Sequence, residues 1–113
     1  MGVFDGFSSG GRANPDEVSR EDLEAALKAD AWALVDVREV NEFDAGHVPG
    51  SVNMPLSSFA PSALPTDKPL VLICRSGARS AKAMSQARAA GVGEIRHYRG
   101  GVLGWANGGG ELV

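Results

Sequence analysis

A single cysteine, Cys74, stands in the whole chain of 113 residues. No intramolecular disulfide can form, which excludes the disulfide-stapled folds of small secreted domains. The other soft ligands are two histidines, His47 and His97. That is too few for a structural zinc site, and no metal or other cofactor is expected. Long apolar runs are also missing. A run such as Leu70 to Cys74 is far short of the roughly 20 residues a membrane helix needs. Nor is there an excess of positive charge: 11 Lys and Arg face 14 Asp and Glu, for a net charge of −3. A nucleic-acid partner, which wants a basic face, is not expected. The first residues, Met1 to Gly11, lack a basic region followed by an apolar stretch, so a signal peptide is not expected either. Gly6 stands where a myristoylation signal has Ser or Thr. Together these absences point to a soluble cytoplasmic protein with neither nucleic acid nor membrane as partner.

What is present fits one globular domain. Hydrophobic residues make up 43% and charged residues 22% of the chain, close to the average of such domains. A chain this size hides roughly 60–70% of its unfolded surface, enough for one modest core. Residues 1–14 carry Gly2, Gly6, Gly10 and Gly11 and read as a flexible arm whose Phe4 and Phe7 could dock on the domain or on a partner. The domain is placed at 15–113.

Along that domain, helical and strand patterns alternate. Ser19 reads as an N-cap, with Glu21 and Asp22 in the first turn and Val18 and Leu23 as a hydrophobic staple. The helix it opens is expected to end near Ala29. Ala33 to Val37 is a compact apolar run, read as a buried strand. Asn41 to Ala45 reads as a short helix with Gly46 at its end, and Ser51 to Met54 as a strand stopped by Pro55. Leu70 to Ile73 is the clearest strand. Ser80 to Ala90 reads as a helix ended by Gly91, Ile95 to Tyr98 as a last strand, and Val102 to Asn107 as a short helix. This order predicts an α/β fold: a small open, mainly parallel sheet of about four to five strands, flanked by helices on both faces.

Ligands of open parallel sheets bind at the carboxyl ends of the strands. The strand Leu70–Ile73 runs straight into Cys74, then the short loop Arg75-Ser76-Gly77-Ala78-Arg79, then the helix opened by Ser80. Gly77 lets the loop curl with its amides inward, forming an anion nest reinforced by the helix dipole. Arg75 and Arg79 add positive charge. An ordinary thiol of pKa about 8.5 is only about 3% ionised at pH 7. Lowering that pKa by about two units takes about 2.7 kcal/mol and gives roughly 75% thiolate. Two or three charge-assisted hydrogen bonds, about 1.5–3 kcal/mol each, suffice. Cys74 is therefore read as a reactive nucleophile rather than a buried structural cysteine.

The segment Cys74-Arg75-Ser76-Gly77-Ala78-Arg79-Ser80 closely resembles the active-site loop of rhodanese domains. Leu34-Val35-Asp36-Val37-Arg38-Glu39, followed by Glu42-Phe43, looks like that family's first strand motif. Gly46-His47-Val48-Pro49-Gly50-Ser51-Val52-Asn53-Met54-Pro55 is similar to its second signature, and Tyr98-Arg99-Gly100-Gly101 with Trp105 to its last. Four motifs in order, over residues 15–113, are far more specific than the loop alone. The resemblance implies a rhodanese-like fold and a sulfurtransferase. Cys74 would take the outer sulfur of a small anionic donor such as thiosulfate and hold it as a persulfide. Cyanide, a thiol or a sulfur-relay protein would then accept it. By the same resemblance the amides from Arg75 to Ser80 cradle the persulfide, while Arg75 and Arg79 face the donor.

Other residues read as supporting. Asp36 and Arg38, at the end of a buried strand, are expected to form a bracing ion pair that Glu42 could join. His47 reads as a hydrogen-bonded structural histidine, His97 as a surface residue between arginines, and Trp32 and Trp105 as packing residues. Two alternatives remain. A persulfide carrier serving a partner protein would show the same loop. A phosphatase or arsenate reductase would resemble Cys-x5-Arg, whereas Cys74-x4-Arg79 is one residue tighter.

Overall fold

The computed structural model describes residues 14–113. The arm expected over residues 1–14 lies, apart from Asn14, outside the described residues. In chain order the domain comprises α1 (Arg20–Lys28), β1 (Ala33–Asp36), α2 (Val40–Ala45), β2 (Val52–Asn53), β3 (Leu70–Ile73), α3 (Ala78–Ala89), β4 (Ile95–His97) and α4 (Gly101–Asn107). Two 3₁₀ turns, Leu56–Ser58 and Pro61–Ala63, link β2 to β3. The strands form one four-stranded sheet in the order β2-β1-β3-β4, and every pairing is parallel.

Alternation of side chains along the strands divides the interior into two cores. Val35, Val37, Leu70, Leu72, Cys74 and Ile95 face one side, where Ala83, Met84 and Ala87 of α3 cover them. Leu34, Val71 and Ile73 face the other, beneath Leu23 of α1 and Val102 and Trp105 of α4. β3 is central and wholly buried, as a continuous apolar run in a parallel sheet should be. The helices therefore lie on both faces, as the alternating pattern implied.

Local chemistry sets the element ends. The Ser19 Oγ accepts a hydrogen bond from Asp22 N at 3.0 Å and so caps α1. α2 opens with a capping box, in which Glu42 Oε1 accepts from Glu39 N at 3.0 Å. Sequence reading expected α3 to start at Ser80. It starts at Ala78, because Gly77 at φ +106° supplies the bend that lets the next residue enter the helix. β2 has two paired residues rather than four: it is an edge strand, Val52 and Asn53 alone pair with β1, and Pro55 lacks an N–H. Residues Asp16 to Val18 clip the opposite edge. His97 N donates to Asp16 O at 3.0 Å, and Val18 N donates to His97 O at 3.1 Å. Among the described residues, no helix is long and apolar enough to cross a membrane.

Candidate active site

β3 delivers Cys74 to the carboxyl end of the sheet on the same face as Leu70 and Leu72. That face lies under α3, so the sulfur sits below the first turn of the helix, and the residue is 1% exposed. The Gly77 amide points back at the sulfur, with N to Sγ 3.1 Å. Ser80 Oγ lies 3.5 Å from the sulfur, and the amides of Ser76 and Ser80 also favour negative charge on it. The 12-residue α3 directs its positive end at the same point. Burial pushes the Cys74 thiol up, but the Ser80 hydroxyl and the three amides pull it down further, so it lies below the ordinary thiol value. The arrangement stabilises negative charge on sulfur.

A second loop holds this one in shape. A Cβ on Gly77 would lie 2.6 Å from the Arg99 carbonyl oxygen. Conversely, Gly101 at φ +68° lies so close that its Cβ would meet the Arg75 carbonyl. The first turn of α4 then ties the two together: Val102 N donates to Cys74 O at 2.9 Å and Leu103 N to Arg75 O at 3.2 Å. The Tyr98–Gly101 motif is thus a buttress for the cysteine loop.

The expected site residues divide into three groups. Ser76, Gly77 and Ser80 converge on the sulfur, as described. Arg75 and Ala78 are exposed. Arg79 is engaged elsewhere: Nη1 donates to Glu42 Oε1 at 2.6 Å and Nη2 to Oε2 at 2.9 Å. Glu42 was expected beside Asp36 and Arg38. It hydrogen-bonds Arg79 instead, because the α2 capping box turns its carboxylate toward the cysteine loop. Asp36 and Arg38 form their own buried pair. Arg38 Nε lies 3.0 Å from both Asp36 oxygens, and Nη2 lies 2.7 Å from Oδ2 and 2.8 Å from Gly46 O. Asn53 Nδ2 donates to the carbonyls of both residues at 2.9 Å, fixing the turn from β1 into α2.

Arg79's hydrogen bonds hold the Glu42 carboxyl well below the usual range, at about 2, against partial burial and with help from the Glu39 amide and Arg38. The sign follows from linkage. A depressed folded pKa contributes stability above the unfolded value of 4.5, and that contribution is lost as pH falls toward about 2. The pair is partly solvent-exposed, so its contribution is about 1 kcal/mol. Glu42→Gln is expected to lower the urea midpoint at pH 7, with the gap from the parent closing between pH 4.5 and 2. A gap that does not change with pH would show that the charge is not what matters.

Two histidines take different places. His47 Nδ1 lies 2.9 Å from Phe43 O and its ring stacks on Phe43, a structural role as expected. His97 is not a surface residue. It is 5% exposed, and its Nδ1 lies 2.8 Å from Ser80 Oγ, directly behind the sulfur's hydroxyl partner. The flanking arginines were the misleading signal. Period-two alternation was the informative one, since Ile95 and His97 must share the face under α3. Trp105 packs in the second core, donates Nε1–H to Glu111 O at 2.9 Å and stacks under Arg20. Among the described residues, no group of three or more His, Cys, Asp or Glu is placed to hold a metal ion.

A parallel α/β domain with a thiol seated in an anion nest at a strand end defines the class. The family model described as Rhodanese-like domain matches residues 19–108, and the chain belongs to that family. A sulfurtransferase of Allochromatium vinosum is 34% identical over 100 residues, spanning 86% of this chain and 94% of that protein. The crystal structure of a rhodanese-related protein from Thermoplasma volcanium matches with a TM-score of 0.77 at 31% identity, covering 86% of this chain and 96% of that one. An uncharacterised Synechocystis protein is 42% identical over 94 residues, covering 81% of this chain but 52% of its own length. A Bacillus subtilis relative is likewise matched over only 59% of its length.

Proposed function

We propose that the protein is a sulfurtransferase that carries a sulfane sulfur on Cys74. The observation that carries this reading is the setting of one buried sulfur: the Gly77 N–H points at it from 3.1 Å, Ser80 Oγ lies at 3.5 Å, and the amides of Ser76 and Ser80 add to the field that favours its anion. The donor is a small anion of the thiosulfate type. The Cys74 thiolate attacks its outer sulfur, the S–S bond breaks, and sulfite leaves with the bonding pair. The persulfide anion so formed keeps its negative charge over the same donors. Cyanide or a thiolate then attacks the outer sulfur, and the electron pair returns to Cys74. With Arg79 paired to Glu42, the exposed Arg75, and Arg99 beside Gly77, supply the positive charge that attracts the donor. This domain has no second cysteine, so the persulfide must discharge to an acceptor outside it. A sulfur-relay protein would serve in that position as well as a small thiol. The sulfurtransferase name of the Allochromatium relative supports the assignment.

Intact-mass measurement after thiosulfate treatment tests it. One added sulfur (about 32 Da), lost on cyanide addition and absent from Cys74→Ser, is the expected result for a reactive cysteine persulfide. No adduct with thiosulfate, combined with Cys74-dependent hydrolysis of an aryl phosphate, would overturn the reading in favour of phosphoryl chemistry. An adduct obtained only from a protein persulfide would favour the carrier reading.

A further inference from the structure

We infer that His97 is a positioning residue for Cys74: its Nδ1–H donates to Ser80 Oγ, which leaves the Ser80 hydroxyl proton free to be given to the sulfur. The inference rests on Cys74 being the reacting group, but its test needs no sulfur transfer.

A serine hydroxyl has one proton to give and can accept two. Three groups lie within reach of Ser80 Oγ: Gly77 O at 3.1 Å, His97 Nδ1 at 2.8 Å and Cys74 Sγ at 3.5 Å. Ser80 is 0% exposed, so bulk water cannot supply a missing proton. The contact of 2.8 Å to Nδ1 needs a proton between the two atoms. Were it the serine's, the sulfur anion would face the oxygen's lone pairs with no donor between them. Were it the histidine's, the serine proton could turn to the sulfur. The Nδ1–H tautomer alone satisfies the imidazole contact and the thiolate together.

Gly77 O makes the hydroxyl a two-position rotor. In the thiol form, Cys74 S–H points at Ser80 Oγ and the hydroxyl turns to the Gly77 carbonyl. Once the thiol proton has left to solvent, the hydroxyl swings to the sulfur. His97 keeps the same bond in both forms. Its backbone N–H and carbonyl are both hydrogen-bonded to the N-terminal segment, at Asp16 and Val18, which fixes the backbone from which the ring projects. Burial is the largest influence on the imidazole and leaves His97 below the ordinary value. Charged groups also face it from the N-terminal segment, where Glu17 and Asp16 raise its pKa, and from β4's end and α3, where Arg99 and Arg88 lower it. A neutral imidazole carries one N–H, and Ser80 determines which nitrogen holds it.

Two measurements test this. Nitrogen-15 NMR of the histidine rings, with His47 assigned through His47→Gln, should show His97 protonated at Nδ1 and bare at Nε2 at pH 7. The opposite tautomer overturns the inference, and this readout requires no change at His97. The second is the rate of iodoacetamide alkylation of Cys74 against pH. His97→Leu removes the N–H that polarises the Ser80 hydroxyl toward the sulfur, and should raise the midpoint by about half a unit, or about threefold less thiolate below it. His97→Asn, whose amide N–H takes the place of Nδ1–H, should recover most of that shift. An unmoved midpoint in a folded Leu variant overturns the inference. Failure of thiosulfate to form an adduct, together with Cys74-dependent hydrolysis of an aryl phosphate, would sink the proposed function and leave both of these readouts intact.

Discussion

Asp36→Ala is expected to cost the fold about 3–5 kcal/mol, the range found when one partner of a buried ion pair is removed. Asp36 is 0% and Arg38 6% exposed. In the parent protein, Asp36 accepts from the Arg38 backbone N–H at 3.0 Å as well as from the guanidinium. Without that carboxylate the guanidinium keeps the Gly46 carbonyl at 2.8 Å and little else. A buried charge so poorly compensated is costly in a low-dielectric interior. Domains of ordinary stability have about 5–15 kcal/mol in total, so the variant should lose about a fifth of it or more. The attraction within the pair is not itself the source of that cost. Asp36→Leu combined with Arg38→Met removes both desolvated charges, and should recover much of the loss. Urea unfolding of the two single variants and the double variant closes the cycle. A single-variant loss below about 1 kcal/mol, typical of exposed pairs, would mean the site is far wetter than its burial indicates. The damage should reach the active site as well. The pair anchors the turn that leads into α2, and α2 presents Glu42 to Arg79.

How much of this was legible in the sequence depends on how far apart the causes lie. The strand Leu70–Ile73, the Ser19 cap and the Gly91 helix stop are each written in a few adjacent residues, and all appear where the pattern placed them. The cysteine loop was equally local: a strand end, a glycine and a helix start within a few consecutive residues already specify an anion nest. Pairings across the fold were not legible. Glu42 and Arg79 are 37 positions apart, and no local pattern reveals that a capping box would turn one toward the other. The same holds for the Gly101–Arg75 approach, which depends on α4 packing against the loop after β3. His97 is an intermediate case. Its burial could have been inferred from alternation with Ile95, but its partner, Ser80, belongs to a different element. The site is therefore built from one legible loop and three supports that tertiary packing alone brings to it: Glu42, His97 and the Arg99–Gly101 turn.

The last of those supports can be probed at Gly77. Gly77→Ala should cost about 1–3 kcal/mol in stability, the range for a non-glycine residue held in a disfavoured backbone region. Its φ of +106° lies outside the regions open to alanine, and the added Cβ would stand 2.6 Å from the Arg99 carbonyl oxygen and 3.4 Å from Arg99 Cγ. Backbone cannot yield there as a side-chain tip would, since Arg99 leads into the Gly100-Gly101 turn packed on Arg75. The loop must relax instead, and flattening φ swings the Gly77 amide away from its 3.1 Å contact with the sulfur. Losing one preorganised donor to a reacting anion typically lowers turnover by roughly 10²–10³-fold. The Gly77→Ala protein should therefore remain foldable, alkylate with a midpoint about one unit higher, and transfer sulfur roughly 10²-fold more slowly. Alkylation separates the two effects, because it reports the thiolate alone under conditions where circular dichroism shows the variant folded. A folded Gly77→Ala variant with the parent's alkylation profile and rate would show that Gly77 serves only to admit the turn. In that case the Ser76 and Ser80 amides, with the Ser80 hydroxyl, would be sufficient to hold the charge on Cys74.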